Sequence, residues 1–434
     1  MKITEFLKVS FLGFFILNIP FNVYAKNCPS RLNENLHQVG EKELYWGMEL
    51  RLANYFIWEK DATASDSSAE LLKNGFAAVR GVVDYTIEET FGGSLNLVFE
   101  GELKQRKSVE NCNSWAVPTF KDFELIPQLR KLYGSWEGEN TKISVGRQNF
   151  TYGTQALIDN FFDAFKLEYK SETLKTSFQL FSGVFANELA RETLGCGYEQ
   201  YYENRRAWKR LCTANYGDYI ATGAVARFKF AKPHQISVMN LLQLSLRDRD
   251  MTELNPEYPE KLTTDFLSVY AIGPFFTEKL YYETELIGAL RIDGMKPMFG
   301  VVGGFQYKIN APGGHIVLNP RYSGSFLTED NLHFASIFES FDLGSRQRYG
   351  LYDGHVYSFA VRYKIHSFRL HTAYHYHLAK VLSEVVDDEL EAGVTWFIGN
   401  KSKYQLRLIY SGINIAAGDL PVSHGIRAVA RIVF

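Results

Sequence analysis

The sequence predicts an all-β protein: a transmembrane antiparallel β-barrel of about eighteen strands with both chain ends on the periplasmic side. Three observations carry this expectation. A secretory-type leader is followed by no helical span, apolar residues recur at every second position, and the connections alternate between short and long. The composition agrees. The 434 residues include 33 Phe and 26 Tyr, yet mean hydropathy is only −0.18. Many aromatics in a mildly polar chain suit a wall with lipid on one face and water on the other. With 47 Lys+Arg against 49 Asp+Glu, the chain lacks the basic excess of a nucleic-acid binder, and no nucleic-acid partner is expected.

Residues 1–25 read as a cleaved signal peptide. Lys2 and Lys8 form a basic start, an apolar stretch runs from Val9 to Ile19, and Val23 and Ala25 place small residues before a cut. Asn18 and Pro20 interrupt the run, which falls short of the roughly 20 apolar residues a membrane helix needs. Residues 26–42 are expected to be a short periplasmic segment and 43–434 the barrel. Export permits disulfides. Among Cys28, Cys112, Cys196 and Cys212, spacing favours a local Cys196–Cys212 staple and leaves Cys28 with Cys112. None has zinc-type spacing, so no metal role is expected.

Alternation runs through the rest of the chain. Trp46, Met48, Leu50 and Leu52 interleave with Gly47, Glu49 and Arg51; Tyr357, Phe359, Val361, Tyr363 and Ile365 interleave with Ser358, Arg362 and Lys364. Leu390 to Ile398, Tyr404 to Tyr410 and Ile426 to Phe434 repeat the pattern. In an extended chain the two sets face opposite sides. Aromatics near segment ends (Tyr45, Trp58, Tyr85, Trp136, Tyr169, Tyr219, Tyr404, Tyr410) suit interfacial girdles.

Short links occur at 138–140, 171–173, 231–233, 311–314 and 399–401; long polar links lie near 59–73, 105–125, 187–217, 248–261 and 327–354. Short turns at one end and long loops at the other describe an outer-membrane barrel. About 23 residues per strand and link leave room for membrane strands of about 9–11 residues. A soluble β-sandwich would put polar residues outside and apolar ones inside, in shorter strands. A propeller would show a repeat of about 40–50 residues, and none is present.

A barrel of eighteen strands leaves an aqueous channel. The alternation assigns a lumen face whose basic members are Arg51, Arg80, Lys104, Lys142, Lys166, Lys175, Arg227, Lys229, Arg247, Arg291, Lys308, Arg321, Arg362, Lys364, Arg369, Arg407, Arg427 and Arg431. The acidic members are Glu49, Asp84, Glu100, Glu102, Glu168, Glu283, Glu285 and Glu391. Charges face inward in any such barrel, because one on the lipid face costs about 2–4 kcal/mol at mid-membrane. The excess of one sign goes further, since a low-dielectric wall focuses the field and concentrates anions. Arg147 and Asp163 fall on the lipid-facing set. Two readings stand: a mutual salt bridge near the rim, or a constriction role with residues 150–161 folding inward.

No catalytic residues are expected. The chain holds no H-E-x-x-H, G-x-S-x-G, P-loop or dinucleotide fingerprint. His371, His375 and His377 share one strand face with Arg369 and point into the lumen, but imidazoles two residues apart along a strand are about 7 Å apart. That is too far for one zinc ion at about 2.0–2.1 Å from each ligand. A hydrated polar wall explains them.

The run Gly146-Arg147-Gln148, then Tyr152-Gly153, then Asn160, and Phe162-Asp163-Ala164-Phe165-Lys166-Leu167 resembles the alginate-export-type outer-membrane porins. In that family a G-R-Q strand end and Y-G precede an Asn and an F-D-G-V-R-L-like strand. Here Ala164 replaces Gly, Lys166 replaces Arg, and the usual Trp before Asn is absent. The closing Phe434 resembles the C-terminal signal of bacterial outer-membrane proteins.

Together these features imply a channel in the bacterial outer membrane for passive movement of small hydrophilic solutes. With the resemblance, the solute would be anionic, an organic acid or an acidic saccharide. No cofactor is expected. The expected surroundings are outer-membrane lipid, lipopolysaccharide and the outer-membrane assembly machinery. A dedicated exporter of an alginate-like polysaccharide and a structural or adhesive surface barrel are the alternatives.

Overall fold

The computed structural model describes residues 37–38, 44–59, 70–90, 92–107, 123–155, 157–185, 219–229, 233–245, 263–292, 296–327, 354–379, 386–399, 404–416 and 422–433. A two-residue strand β1 (His37–Gln38) pairs with the start of β2 (Leu44–Glu59). Then follow β3 (Glu70–Thr90), β4 (Gly93–Lys107), β5 (Phe123–Glu137), β6 (Thr141–Thr151), β7 (Asp159–Ser171), β8 (Thr176–Phe185), β9 (Tyr219–Phe228) and β10 (Gln235–Ser245). The second half comprises β11 (Thr264–Phe275), β12 (Thr277–Arg291), β13 (Lys296–Ala311), β14 (Gly314–Leu327), β15 (Gly354–Ile365), β16 (Phe368–Ala379), β17 (Val386–Ile398), β18 (Tyr404–Ile413) and β19 (Ser423–Val433).

Each of β2 to β19 pairs antiparallel with its sequence neighbours, and β19 returns to β2 through a ladder from Ser423↔Glu59 to Val433↔Glu49. The eighteen strands therefore form a closed antiparallel β-barrel, as the alternation and the even segment count predict. Closure removes the exposed edges that an open sheet must protect. The strand ends that flank the short links of the sequence reading, at β5–β6, β7–β8, β9–β10, β13–β14 and β17–β18, all lie at one end of the barrel. At the 311–314 link, Gly313 takes φ +71°, which a side chain would strain.

Burial is inverted relative to a soluble sheet protein. Leu97, Phe99, Leu132, Val145, Phe165 and Leu286 are exposed, whereas Glu49, Glu100, Glu285 and Glu389 are buried. That arrangement is stable only with lipid outside and polar partners inside. Among the described residues no helix is long and apolar enough to cross a membrane.

Outward aromatics gather at both ends. Tyr169, Phe178, Phe305, Phe368, Trp396 and Tyr404 stand near the short turns, and Phe299, Phe326 and Tyr357 near the long loops. Phe368 and Trp396 stack at 5.7 Å. The ladders pair Tyr45 with Asp84 and Tyr219 with Ser245.

Candidate functional site

The hairpin tip between β6 and β7 does not stay in the wall. The β5–β6 ladder runs only from Glu137↔Lys142 to Leu132↔Arg147. The β6–β7 ladder continues to Thr151↔Asp159, and β4–β5 to Lys107↔Phe123. Gly146 marks the divergence, with φ +119° and a position where a Cβ would run into the Leu132 carbonyl oxygen. Only glycine tolerates both.

Side chains clip the hairpin on its two faces. Outside, the Arg147 guanidinium donates through Nε and Nη2 to the Asp163 carboxylate, both at 2.9 Å, and through Nη1 to the Leu129 carbonyl at 3.2 Å. It thus satisfies a β5 carbonyl just where the ladder has ended. Inside, Gln148 donates to the Ala164 carbonyl at 3.0 Å and accepts from Ser144 Oγ at 3.0 Å.

Beyond β6 the chain turns into the lumen and lies against the inner face of β10 to β12. Tyr152 donates its hydroxyl to the Ser237 carbonyl on β10 at 3.0 Å. Thr154 donates its amide and its hydroxyl to Glu285 Oε2 on β12, at 2.8 and 2.5 Å, and Ser268 Oγ on β11 donates to Oε1 at 2.7 Å. Leu157, Ile158 and Phe162 are fully buried, in one cluster with Met239, Leu241 and Phe266. Full burial of such side chains is worth about 1.5–3 kcal/mol each, so the segment is held by packing as well as by polar anchors. Of the two readings of Arg147 and Asp163, the mutual salt bridge forms, and residues 152–155 and 157–158 lie on the inner side of the wall. Of the other motif residues, Gly153 lies against Glu285, and Asn160 pairs with Phe150 across the hairpin.

The remaining bore is bordered by charge. Glu49 accepts from Arg51 and Arg431, each at 2.6 Å. Glu100 accepts from Lys131 at 2.6 Å and Arg130 at 3.1 Å, with Arg80 at 3.7 Å. Glu283 pairs with Arg321 at 2.9 Å, Lys166 with Glu168 at 2.6 Å, and Arg227 donates to Gln179 at 3.0 Å. Two carboxylates are therefore shared among five cations, and the basic excess survives pairing. Arg369 lies over the Phe397 ring at 5.0 Å. Arg362, Lys364, Arg407 and Arg427 take inward positions on β15, β18 and β19, and Lys308 takes one on β13.

Other lumen expectations change. Lys175 lies in the β7–β8 turn with φ 49°, exposed, and not on a strand face. Lys229 lies just past β9, exposed, its amide donating to the Lys175 carbonyl. Both correct the sequence reading, because period two stops applying where the chain turns. Lys104 pairs with Ala78 and Arg291 with Lys296 in the backbone ladders. Arg247 and all four cysteines lie outside the described residues, as do residues 1–25 and Phe434.

Sequence reasoning missed Arg130, Lys131 and Thr154. A β-bulge shifts the β4–β5 register between Glu100 and Gly101, which turns Arg130 and Lys131 to one carboxylate. Adjacent residues cannot both fit a strict alternation, so pattern counting passes over them. The imidazoles do face inward: Glu391 lies 3.8 Å from His371 Nε2 and 3.6 Å from His375 Nε2. Among the described residues no group of three His, Cys, Asp or Glu is placed to hold a metal ion.

No family model matches this chain, and no curated protein matches it. Solved structures do. Pseudomonas aeruginosa OccK5 (OpdH) aligns with TM-score 0.58 at 8% identity, over 90% of this chain and 98% of that one. A BenF-like porin from Pseudomonas fluorescens Pf-5 aligns with TM-score 0.55 at 10% identity, over 90% and 98%. Pseudomonas aeruginosa OccK2 (OpdF), solved with glucuronate, aligns with TM-score 0.54 at 8% identity, over 90% and 96%. At such identities the likeness is one of fold: this chain has the fold of these proteins.

Proposed function

We propose that this protein is a bacterial outer-membrane porin for passive diffusion of small anionic solutes, organic acids or acidic saccharides. The observation that carries the reading is the inward guanidinium band, in which Glu49 and Glu100 are each outnumbered by the cations around them. A low-dielectric wall keeps that field in the water column, and rings of Arg and Lys favour anions. The solved relative that holds glucuronate supports a carboxylate-bearing solute. No covalent step and no cofactor is part of this function; the protein lowers a barrier by supplying water and charge.

The inserted segment limits size. Because Tyr152 and Thr154 anchor it inside the lumen on β10 and β12, part of the bore is filled, which favours small solutes over a polysaccharide. The G-R-Q, Y-G and F-D resemblance to alginate-export-type porins supports an acidic saccharide among those solutes. In this reading the outward aromatics contact lipid and lipopolysaccharide, and Phe434 is the assembly machinery's signal.

Reversal potential across a planar bilayer under a KCl gradient tests the proposal. A chloride-selective reversal is expected. A cation-selective or zero potential would overturn the anion reading, and a folded barrel with no conductance would point to a surface structural role.

A further inference from the structure

We propose that the short-turn mouth of the lumen holds a docking site for anions that carry two or more separated charges, formed by Lys308, His315, Arg362, Lys364 and Arg369. The inference rests on the channel reading above and narrows its solute class. These five residues come from four consecutive strands. Lys364 on β15 lies directly opposite His315 on β14 and Arg369 on β16. One row deeper, Val317 has Lys308 on one side and Arg362 on the other. Neighbouring strands are about 4.8 Å apart, so Lys308 and Arg362 stand roughly 10 Å apart along that row.

Two features distinguish this patch from the rest of the basic band. Elsewhere Arg51, Arg80, Arg130, Lys131, Arg321 and Arg431 share Glu49, Glu100 or Glu283. Among the described residues, Lys308, Arg362 and Lys364 have no hydrogen-bond or ion-pair partner, and all three are exposed to the bore. The charged groups acting on His315 are Lys308, Lys364 and Arg369, all cationic. Those acting on Arg362 are Arg321, Arg407 and Glu391, and Glu391 already lies between His371 and His375.

Like charges directly opposite on adjacent strands repel. A ligand with several anionic groups relieves more of that repulsion than a halide, because each group faces a different cation. Dicarboxylates, oligo-uronates and phosphorylated small molecules share this chemistry. A monocarboxylate can meet only one part of the patch at a time.

The test uses the refolded full-length barrel in a planar bilayer, with pyrophosphate as the multivalent probe and acetate as the monovalent control. Pyrophosphate added from the short-turn side is expected to block chloride current at concentrations at least about tenfold below acetate, equivalent to one further charge contact. The Arg362→Gln, Lys364→Gln double variant is expected to remove that advantage while the pore stays open. A chloride-selective pore that pyrophosphate blocks no better than acetate, or a block the double variant keeps, would overturn the docking site and leave the channel reading intact. If the barrel does not conduct, thermal unfolding in detergent decides: stabilisation by pyrophosphate that the double variant loses keeps the site without the channel, and no stabilisation removes it.

Discussion

Thr154 and Glu285 are 131 positions apart in sequence, yet the amide and the hydroxyl of Thr154 both donate to one carboxylate oxygen of Glu285 inside the barrel. Ser268 holds the other oxygen, so a fully buried carboxylate is satisfied by three neutral donors. The contact ties the inserted hairpin to the inner face of β12.

The latch is open to a direct test. Thr154→Val keeps the shape and removes the hydroxyl donor to a fully buried acceptor, a loss of about 1–3 kcal/mol. Single-channel recording is expected to show larger mean conductance and more open-channel noise as the segment leaves the wall. Unchanged conductance and noise would mean that apolar packing alone holds it.

Gly146 is expected to tolerate no side chain. Gly146→Ala forces a Cβ toward the Leu132 carbonyl in a left-handed backbone conformation, a strain of about 1–3 kcal/mol. The urea midpoint, followed by heat-modifiable gel mobility, should fall. Gly134→Ala is the control, since a Cβ at that position meets nothing closer than Leu97 at 3.4 Å.

Arg147 and Asp163 should behave as a unit. Each faces the lipid side, where an unpaired charge costs about 2–4 kcal/mol at the midplane. Arg147→Ala and Asp163→Ala are each expected to destabilise the barrel more than half as much as the double variant. A double-mutant cycle should give a coupling of about 0.5–3 kcal/mol. A coupling near zero would show the two side chains to be independent of one another.

Glu49 bears on selectivity. It lies against Arg51 and Arg431, so Glu49→Gln removes one negative charge from a region that already has two positive ones. The reversal potential in a KCl gradient should move further toward chloride. A shift toward potassium would contradict the proposed role of this band.

Several of these relationships were legible in the sequence. Arg51 and Glu49 are two apart and therefore share a face, and Arg147 and Asp163 both fall on the outward set of one hairpin. The strand count, the closed architecture and the inward imidazoles follow from the same period. The Arg130–Glu100 contact was hidden by a bulge, which adds a residue without changing composition. Lys175 and Lys229 were misplaced for the related reason that a turn ends the alternation.

The order of residues along the chain is thus enough to specify paired strands and the polar side of each. Those are local properties, since the pleat turns successive side chains to opposite faces wherever a strand forms. Three things arise only in the folded barrel: the departure of the β6–β7 tip from the wall at Gly146, its anchoring by Tyr152 and Thr154 on β10 and β12, and the sharing of carboxylates among lumen cations. Such contacts join positions as far apart as Glu49 and Arg431, and they exist only once barrel closure brings the first and last strands together. No local period carries that information.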